Sequence, residues 1–124
     1  MSWLMVALGG ALGSVMRYGV GLALARYEAF PIGTLLANIL GSLLIGVCAG
    51  MFEGDQKGRP AALFLMIGFC GGFTTFSAFS LQTLDLMQQQ AWLKAGGNVV
   101  LSVAGCLLGT WLGFLLGQAV KKSA

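Results

Sequence analysis

The sequence predicts an all-α membrane protein of four transmembrane helices, on three observations. Of its 124 residues 57% are hydrophobic and only 9% charged, with a mean hydropathy of +0.86. Soluble domains carry about 25% charged residues, so 7 basic and 4 acidic side chains cannot cover a water-facing surface. The charges also punctuate the chain, leaving four apolar stretches long enough for a hydrocarbon core of ~30 Å. Finally, 20 glycines with no G-X-Y period suit close helix packing in lipid rather than collagen. A soluble enzyme and a disordered chain are both excluded.

The expected spans are residues 3–25, 32–52, 61–84 and 95–120, forming one domain over residues 1–124. The first is interrupted only by Arg17. No Lys or Arg precedes Trp3, and the stretch exceeds a signal core of 7–15 residues, so it reads as a retained helix. The second span is free of charge. Short polar loops are expected at Arg26–Phe30, Glu53–Pro60 and Asp85–Lys94, which hold Glu28, Glu53, Asp55 and Asp85 in or beside them. An even number of spans puts Lys57, Arg59, Lys121 and Lys122 on one side and Arg26 and Lys94 on the other. That is a weak positive-inside bias: either the N-terminus is cytoplasmic or the chain inserts both ways. The net charge of +3 is scattered and forms no nucleic-acid patch.

There is no histidine, which removes imidazole bases, imidazole metal ligands and proton relays. Cys48, Cys70 and Cys106 are far apart inside apolar runs and read as small packing residues. No nucleophile–base pair stands out. Glycines recur every four residues in Gly9–Gly13, Ser42–Gly46–Gly50 and Gly105–Gly109–Gly113–Gly117. Each set makes a flat helix face for close approach, serving either packing within the chain or a subunit interface. Together they favour a small homo-oligomer, most economically a homodimer.

Polar residues inside spans carry the functional expectations. Arg17 lies i+4 from Gly13, and mid-membrane arginine costs a few kcal/mol on insertion scales. It either snorkels to an interface or stands as a fixed positive charge at the mouth of an anion path. Thr34, Asn38 and Ser42 share one face of the second helix, as interhelical glue or as path donors. Ser102, Cys106 and Thr110 repeat that spacing in the fourth, where hydroxyls often bond their own i−4 carbonyls. In the third span Gly71-Gly72 and Thr74-Thr75 fall near mid-bilayer. All four are poor helix formers, which predicts a break there, tolerated only under protein cover or beside a cavity. Phe76 and Phe79 follow at i, i+3, as core or as positive ring edges for a small anion.

Three blocks, GGALGSVMRY (Gly9–Tyr18), GTLLANILGS (Gly33–Ser42) and GFCGGFTTFSAFS (Gly68–Ser80), give the chain its resemblance to the Fluc/CrcB fluoride ion channel family. Their order, spacing and four-helix layout agree over essentially the whole chain. The resemblance implies an antiparallel dual-topology homodimer in the bacterial cell (inner) membrane, with two fluoride pores and passive fluoride export. It also implies a structural sodium ion at the dimer centre, held by backbone carbonyls of Gly71 and Thr74 from both subunits. By the same resemblance Phe76, Phe79 and Asn38 lie on the fluoride path, Arg17 near its vestibule, and Thr34, Ser77 and Ser102 along its polar track. Two positions depart from the pattern: relatives commonly read FSTFSxE where this chain has FSAFSLQ, placing Gln82 for an acid, and Cys106 replaces a serine. Fluoride is strongly hydrated, so donors must offset dehydration while weak successive sites let it leave. The alternative, a small multidrug-resistance-type transporter, needs an acid within the membrane, and these spans have none. A structural subunit without transport would leave the mid-span GG-x-TT segment unexplained.

Overall fold

The computed structural model describes residues 1–27, 29–55 and 59–124. Glu28, expected in the first loop, and Lys57, counted in the charge bias, lie outside these residues. Among the described residues all regular secondary structure is helical, and four helices are long and apolar enough to cross a membrane. The first two are α1 (Ser2–Ala23) and α2 (Ile32–Met51). The third, Pro60–Gln88, divides into α3 (residues 60–73) and α4 (Phe76–Gln88); the fourth is α5 (Trp92–Ser123).

Local chemistry marks the ends. After α1 one 3₁₀ turn, Ala25–Tyr27, leads to Pro31, which stands immediately before α2 and cannot continue a preceding helix. Pro60 opens α3 at a position where its missing N–H costs nothing. Arg59 before it is extended, as the residue ahead of a proline tends to be. Within α3 the segment Leu63–Cys70 is π-helical. Helical geometry stops after Phe73: Thr74 (φ −91°, ψ 155°) and Thr75 (φ −152°, ψ 121°) are extended, and helix resumes at Phe76.

Two backbone-to-backbone seams organise the bundle, and glycine makes both. Along α1 and α3, a Cβ on Gly9 would strike the Phe64 carbonyl and lie 2.9 Å from the Phe69 nitrogen. One on Gly13 would strike the Phe69 carbonyl, and one on Gly72 the Gly10 carbonyl. Along α2 and α5 the stripes interlock: a Cβ on Gly46 would strike the Thr110 carbonyl, on Gly50 that of Phe114, on Gly113 that of Leu43 and on Gly117 that of Val47. The sequence left these stripes open between internal packing and a subunit interface. They are used within the chain, so they say nothing about a second copy.

The last two helices run beyond the expected spans. α4 continues past Leu84 to Gln88 and α5 starts at Trp92 rather than 95, so Asp85 and Lys94, expected in a loop, are helical. The reason is that apolarity ends at the membrane while helix propensity does not: Asp85–Gln88 contains nothing that stops a helix. At ~1.5 Å per residue the 32 residues of α5 make about 48 Å, longer than a hydrocarbon core. The α4–α5 turn is closed by Ala91 N–H to the Leu86 carbonyl (2.9 Å) and Gln90 N–H to that of Met87 (3.0 Å), the pair of bonds that ends a helix on a left-handed residue. That residue is Gln90, at φ 60°. At the other end, Lys121 Nζ donates to the Glu53 carbonyl (2.7 Å) and Gln118 Nε2 to its carboxylate (3.1 Å), tying α5 to the end of α2.

Gly113→Ala should lower unfolding stability in detergent by about 1–3 kcal/mol, the usual cost of overpacking. Gly19→Ala, whose Cβ would meet nothing within 4 Å, should leave it unchanged or raise it by up to about 1 kcal/mol. Equal losses at both positions would contradict the seam. Gln90→Gly should stabilise by roughly 1 kcal/mol, because glycine adopts positive φ without the Cβ penalty.

Candidate functional site

The site is built on the two extended threonines and the side chain that faces them from α2. Asn38, buried there at 9% exposure, accepts the Thr75 N–H at its Oδ1 (2.7 Å) and donates from Nδ2 to the Thr75 carbonyl (3.1 Å). One carboxamide thus pairs with one residue's backbone as a neighbouring β-strand would. Gly41 makes the approach possible, since a Cβ there would strike Thr74 Cγ2 and lie 3.3 Å from Phe73 Cδ1. The Thr75 hydroxyl caps α4, accepting from the Ala78 N–H (3.2 Å), and stands 3.2 Å from the Ser77 hydroxyl. The Thr74 hydroxyl turns back to donate to the Cys70 carbonyl at 2.8 Å.

These bonds redistribute backbone acceptors. In an uninterrupted α-helix the Thr75 N–H would donate to the Gly71 carbonyl and the Ala78 N–H to that of Thr74. Asn38 takes the first and the Thr75 hydroxyl the second, so both carbonyls lose their helical donors. The Gly72 carbonyl between them is satisfied differently, accepting from Arg17 Nε (3.1 Å) and, at 3.5 Å, from the Ser14 hydroxyl. Arg17 is therefore bonded through Nε to backbone beside the extended residues. Among the described residues no three acid or thiol side chains gather as a metal site. Two neutral carbonyl oxygens without helical donors fit a hard cation of low charge, provided that further oxygens come from elsewhere.

Three cavities lie among the described residues, and the first is lined by this backbone. One of about 350 Å³ is lined by Asn38, Ser42, Gly71, Thr74, Thr75, Phe76 and Cys106. A second, of about 220 Å³, holds Arg17, Thr34, Ala78 and Gln82. The third, about 290 Å³ and beside the first loop, is lined by Tyr27, Phe30, Asp85 and Gln89, and again by Thr34 and Gln82. Thr34 and Gln82 thus join the loop-side cavity to that of Arg17. Gln82 Oε1 is buried without a protein partner, so it offers an acceptor at that junction. Of the aromatic pair, Phe76 is 78% exposed on the subunit surface. Its ring centroid is 5.4 Å from that of Phe79 with the planes at 50°.

Asn38, Gly71, Thr74 and Phe76 therefore meet at one cavity, and Arg17 and Thr34 at another. Ser77 sits at the start of α4 on the Thr75 hydroxyl. Ser102 stands apart from the three cavities, within a buried chain that sequence reasoning missed: Asn98 Nδ2 donates to the Thr83 hydroxyl (2.9 Å), which donates to the Phe79 carbonyl (2.7 Å). The Ser102 hydroxyl reaches Asn98 Oδ1 at 3.5 Å rather than its own i−4 carbonyl. Asn98 is only 2% exposed. A signal was available, because the Ser102–Cys106–Thr110 stripe extended back by four residues arrives at Asn98.

A four-helix membrane bundle with extended backbone inside a span, and with no acid lining the cavities at Asn38 and Arg17, defines a small multi-pass protein built to handle ions. The chain belongs to the CrcB family: the family described as CrcB-like protein, Camphor Resistance (CrcB), matches residues 4–114. Relatives named Fluoride-specific ion channel FluC are similar nearly end to end. That of Methylocella silvestris is 46% identical, covering 98% of this chain and 97% of the relative. That of Opitutus terrae is 48% identical (97% and 95%), and that of Rhodospirillum rubrum 51% (91% and 92%).

Asn98→Leu and Thr83→Val should be coupled. A double-mutant cycle on unfolding free energy should return about 0.6–1.7 kcal/mol, the range for interhelical hydrogen bonds in membranes. Strict additivity would mean that the pair contributes nothing to holding α4 on α5.

Proposed function

We propose that this chain is a fluoride-selective channel that passively exports fluoride across the bacterial inner membrane, working as an antiparallel dual-topology homodimer with two pores. Membership of a family whose members are named for fluoride-specific conduction carries the reading, and the hydrogen-bonding groups of Asn38, Thr74 and Thr75 in a mostly apolar cavity supply the physical means. In this reading the interruption at Thr74 and Thr75 is the break of the third helix. The whole chain of 124 residues is one transmembrane domain.

The conduction argument starts from charge. No acidic residue lies within the cavity at Asn38 or that at Arg17, so an anion meets no like charge along them. Arg17, fixed by Gly72, sets a positive potential in its own cavity and raises the local anion concentration there, whereas Asp85 lines the loop-side cavity. Fluoride must then exchange water for fixed donors. The hydroxyls of Thr34, Ser77 and Ser102 and the carboxamide of Asn38 are the candidates, with the ring edges of Phe76 and Phe79 as weak, non-trapping contacts. Export follows from acid–base chemistry: HF crosses the membrane uncharged, ionises in the less acidic cytosol, and the trapped anion leaves through the channel.

The second copy follows from what one subunit leaves open. A phenylalanine 78% exposed beside backbone opened inside a span needs cover, and lipid cannot satisfy backbone polar groups. An antiparallel partner would cover this face and bring its own Gly71 and Thr74 carbonyls, giving four neutral oxygens around one structural sodium ion. The weak bias of Lys57, Arg59, Lys121 and Lys122 against Arg26 and Lys94 suits insertion in both orientations.

The test is efflux from proteoliposomes loaded with fluoride or chloride, with valinomycin and a potassium gradient carrying the compensating charge. Fast fluoride release with chloride retained is expected. Phe76→Ile and Phe79→Ile should each cut fluoride flux by an order of magnitude or more while leaving the dimer intact by size-exclusion chromatography. Retention of both ions by wild-type dimers, or unchanged flux in both variants, would overturn the reading or the aromatic assignment respectively.

A further inference from the structure

We infer that Asn38 and Thr75 are the positioning residues of the cation site. Each takes up one N–H that would otherwise close on a carbonyl of that site. The inference rests on the sodium reading above and assigns to Asn38 a task separate from contact with fluoride. The geometry is specific. Each of the two bonds frees one carbonyl: Thr75 N–H to Asn38 Oδ1, 2.7 Å, frees that of Gly71, and Ala78 N–H to Thr75 Oγ1, 3.2 Å, frees that of Thr74. The intervening Gly72 carbonyl is occupied by Arg17 and Ser14, which removes it as a competing ligand and keeps the arginine's charge turned to the other cavity. Gly71 and Thr74 both line the Asn38 cavity.

The physical consequence is a link between pathway and ion site. If Asn38 is lost, the Thr75 N–H has an acceptor waiting one turn back, and re-forming the helical bond to Gly71 removes one cation ligand per subunit. If the Thr75 hydroxyl is lost, the Ala78 N–H can do the same to Thr74. The occupant is a hard monovalent cation held by neutral oxygens, because no carboxylate lines the cavity to balance a higher charge.

The experiment measures thermal unfolding of the purified dimer across a sodium titration, with N-methyl-D-glucamine chloride holding ionic strength constant. The variants are Asn38→Leu, Thr75→Val and Phe79→Ile. Wild-type protein and Phe79→Ile should share one half-saturating sodium concentration, although Phe79→Ile loses flux. Asn38→Leu and Thr75→Val should each shift it upward by about tenfold or abolish the sodium response, since one hydrogen-bond rearrangement is worth about one decade in affinity. A purely structural role would lower unfolding temperature equally with and without sodium, leaving the half-saturation point unmoved. That result in both variants overturns the inference and leaves the cation reading standing. A wild-type dimer indifferent to sodium overturns the cation reading, and the inference with it. Should Asn38→Leu fail to fold, Thr75→Val, which retains the Asn38 bonds to the Thr75 backbone, decides the matter alone.

Discussion

The pairing of the Asn38 carboxamide with both backbone groups of Thr75 is the constraint on which the rest of this molecule depends. Extended backbone inside a membrane leaves an N–H and a carbonyl with no water to turn to, at a cost of several kcal/mol per group. Asn38 satisfies both from a single side chain, at 2.7 and 3.1 Å. With that cost offset, the third span can leave helical geometry at Thr74 and Thr75 and resume it at Phe76. The Gly71 carbonyl loses its helical donor to the same pairing, and that of Thr74 loses its donor to the Thr75 hydroxyl. An aliphatic residue at position 38 would leave Thr75 only one inexpensive choice, a return to helix.

Everything around that pairing serves to hold it at a fixed depth. The seams of α1 with α3 and of α2 with α5 bring backbones so close that a single Cβ would collide with a carbonyl. In lipid, where burial of apolar surface gives no advantage to helix pairs over lipid contact, such close approach is the main source of cohesion. The α1–α3 seam places Gly72 against α1, where Arg17 and Ser14 reach its carbonyl, and Gly41 lets the extended threonines approach α2, where Asn38 waits. By contrast α4 has no glycine seam. It is secured by its Thr75 cap, by the Thr83–Asn98 bond and by the left-handed turn at Gln90. The helix that carries the phenylalanines is thus tethered by a few hydrogen bonds rather than locked by packing.

Much of this was legible in the sequence. Scarce charge and four apolar runs are sufficient for four spans, because the bilayer imposes length and hydrophobicity directly. Gly-Gly followed by Thr-Thr marked the place where helix would be weakest, and Asn38 stood out as an amide in an uncharged span. What could not be read was who meets whom. Asn38 and Thr75 are 37 residues apart, and nothing in either segment names the other. The glycine stripes announced close contact without saying whether the partner was another helix of the chain or another copy. Asn98 escaped notice although it extends a visible stripe, since its significance lies in Thr83, fifteen residues away on another helix. Helix ends at α4 and α5 were not legible because the sequence signal marks the membrane boundary, whereas the helix ends where its turn chemistry ends it.

The claim that the Asn38–Thr75 pairing holds the third span open can be measured without reference to transport. Solid-state NMR of the protein in lipid, with asparagine labelled at the carboxamide carbon and threonine at the backbone nitrogen, reads it directly. The account predicts a close correlation between the Asn38 carboxamide carbon and the Thr75 nitrogen, with extended-backbone chemical shifts at Thr74 and Thr75. Helical shifts running through both threonines, with the Thr75 nitrogen correlated instead to the Gly71 carbonyl, would contradict it.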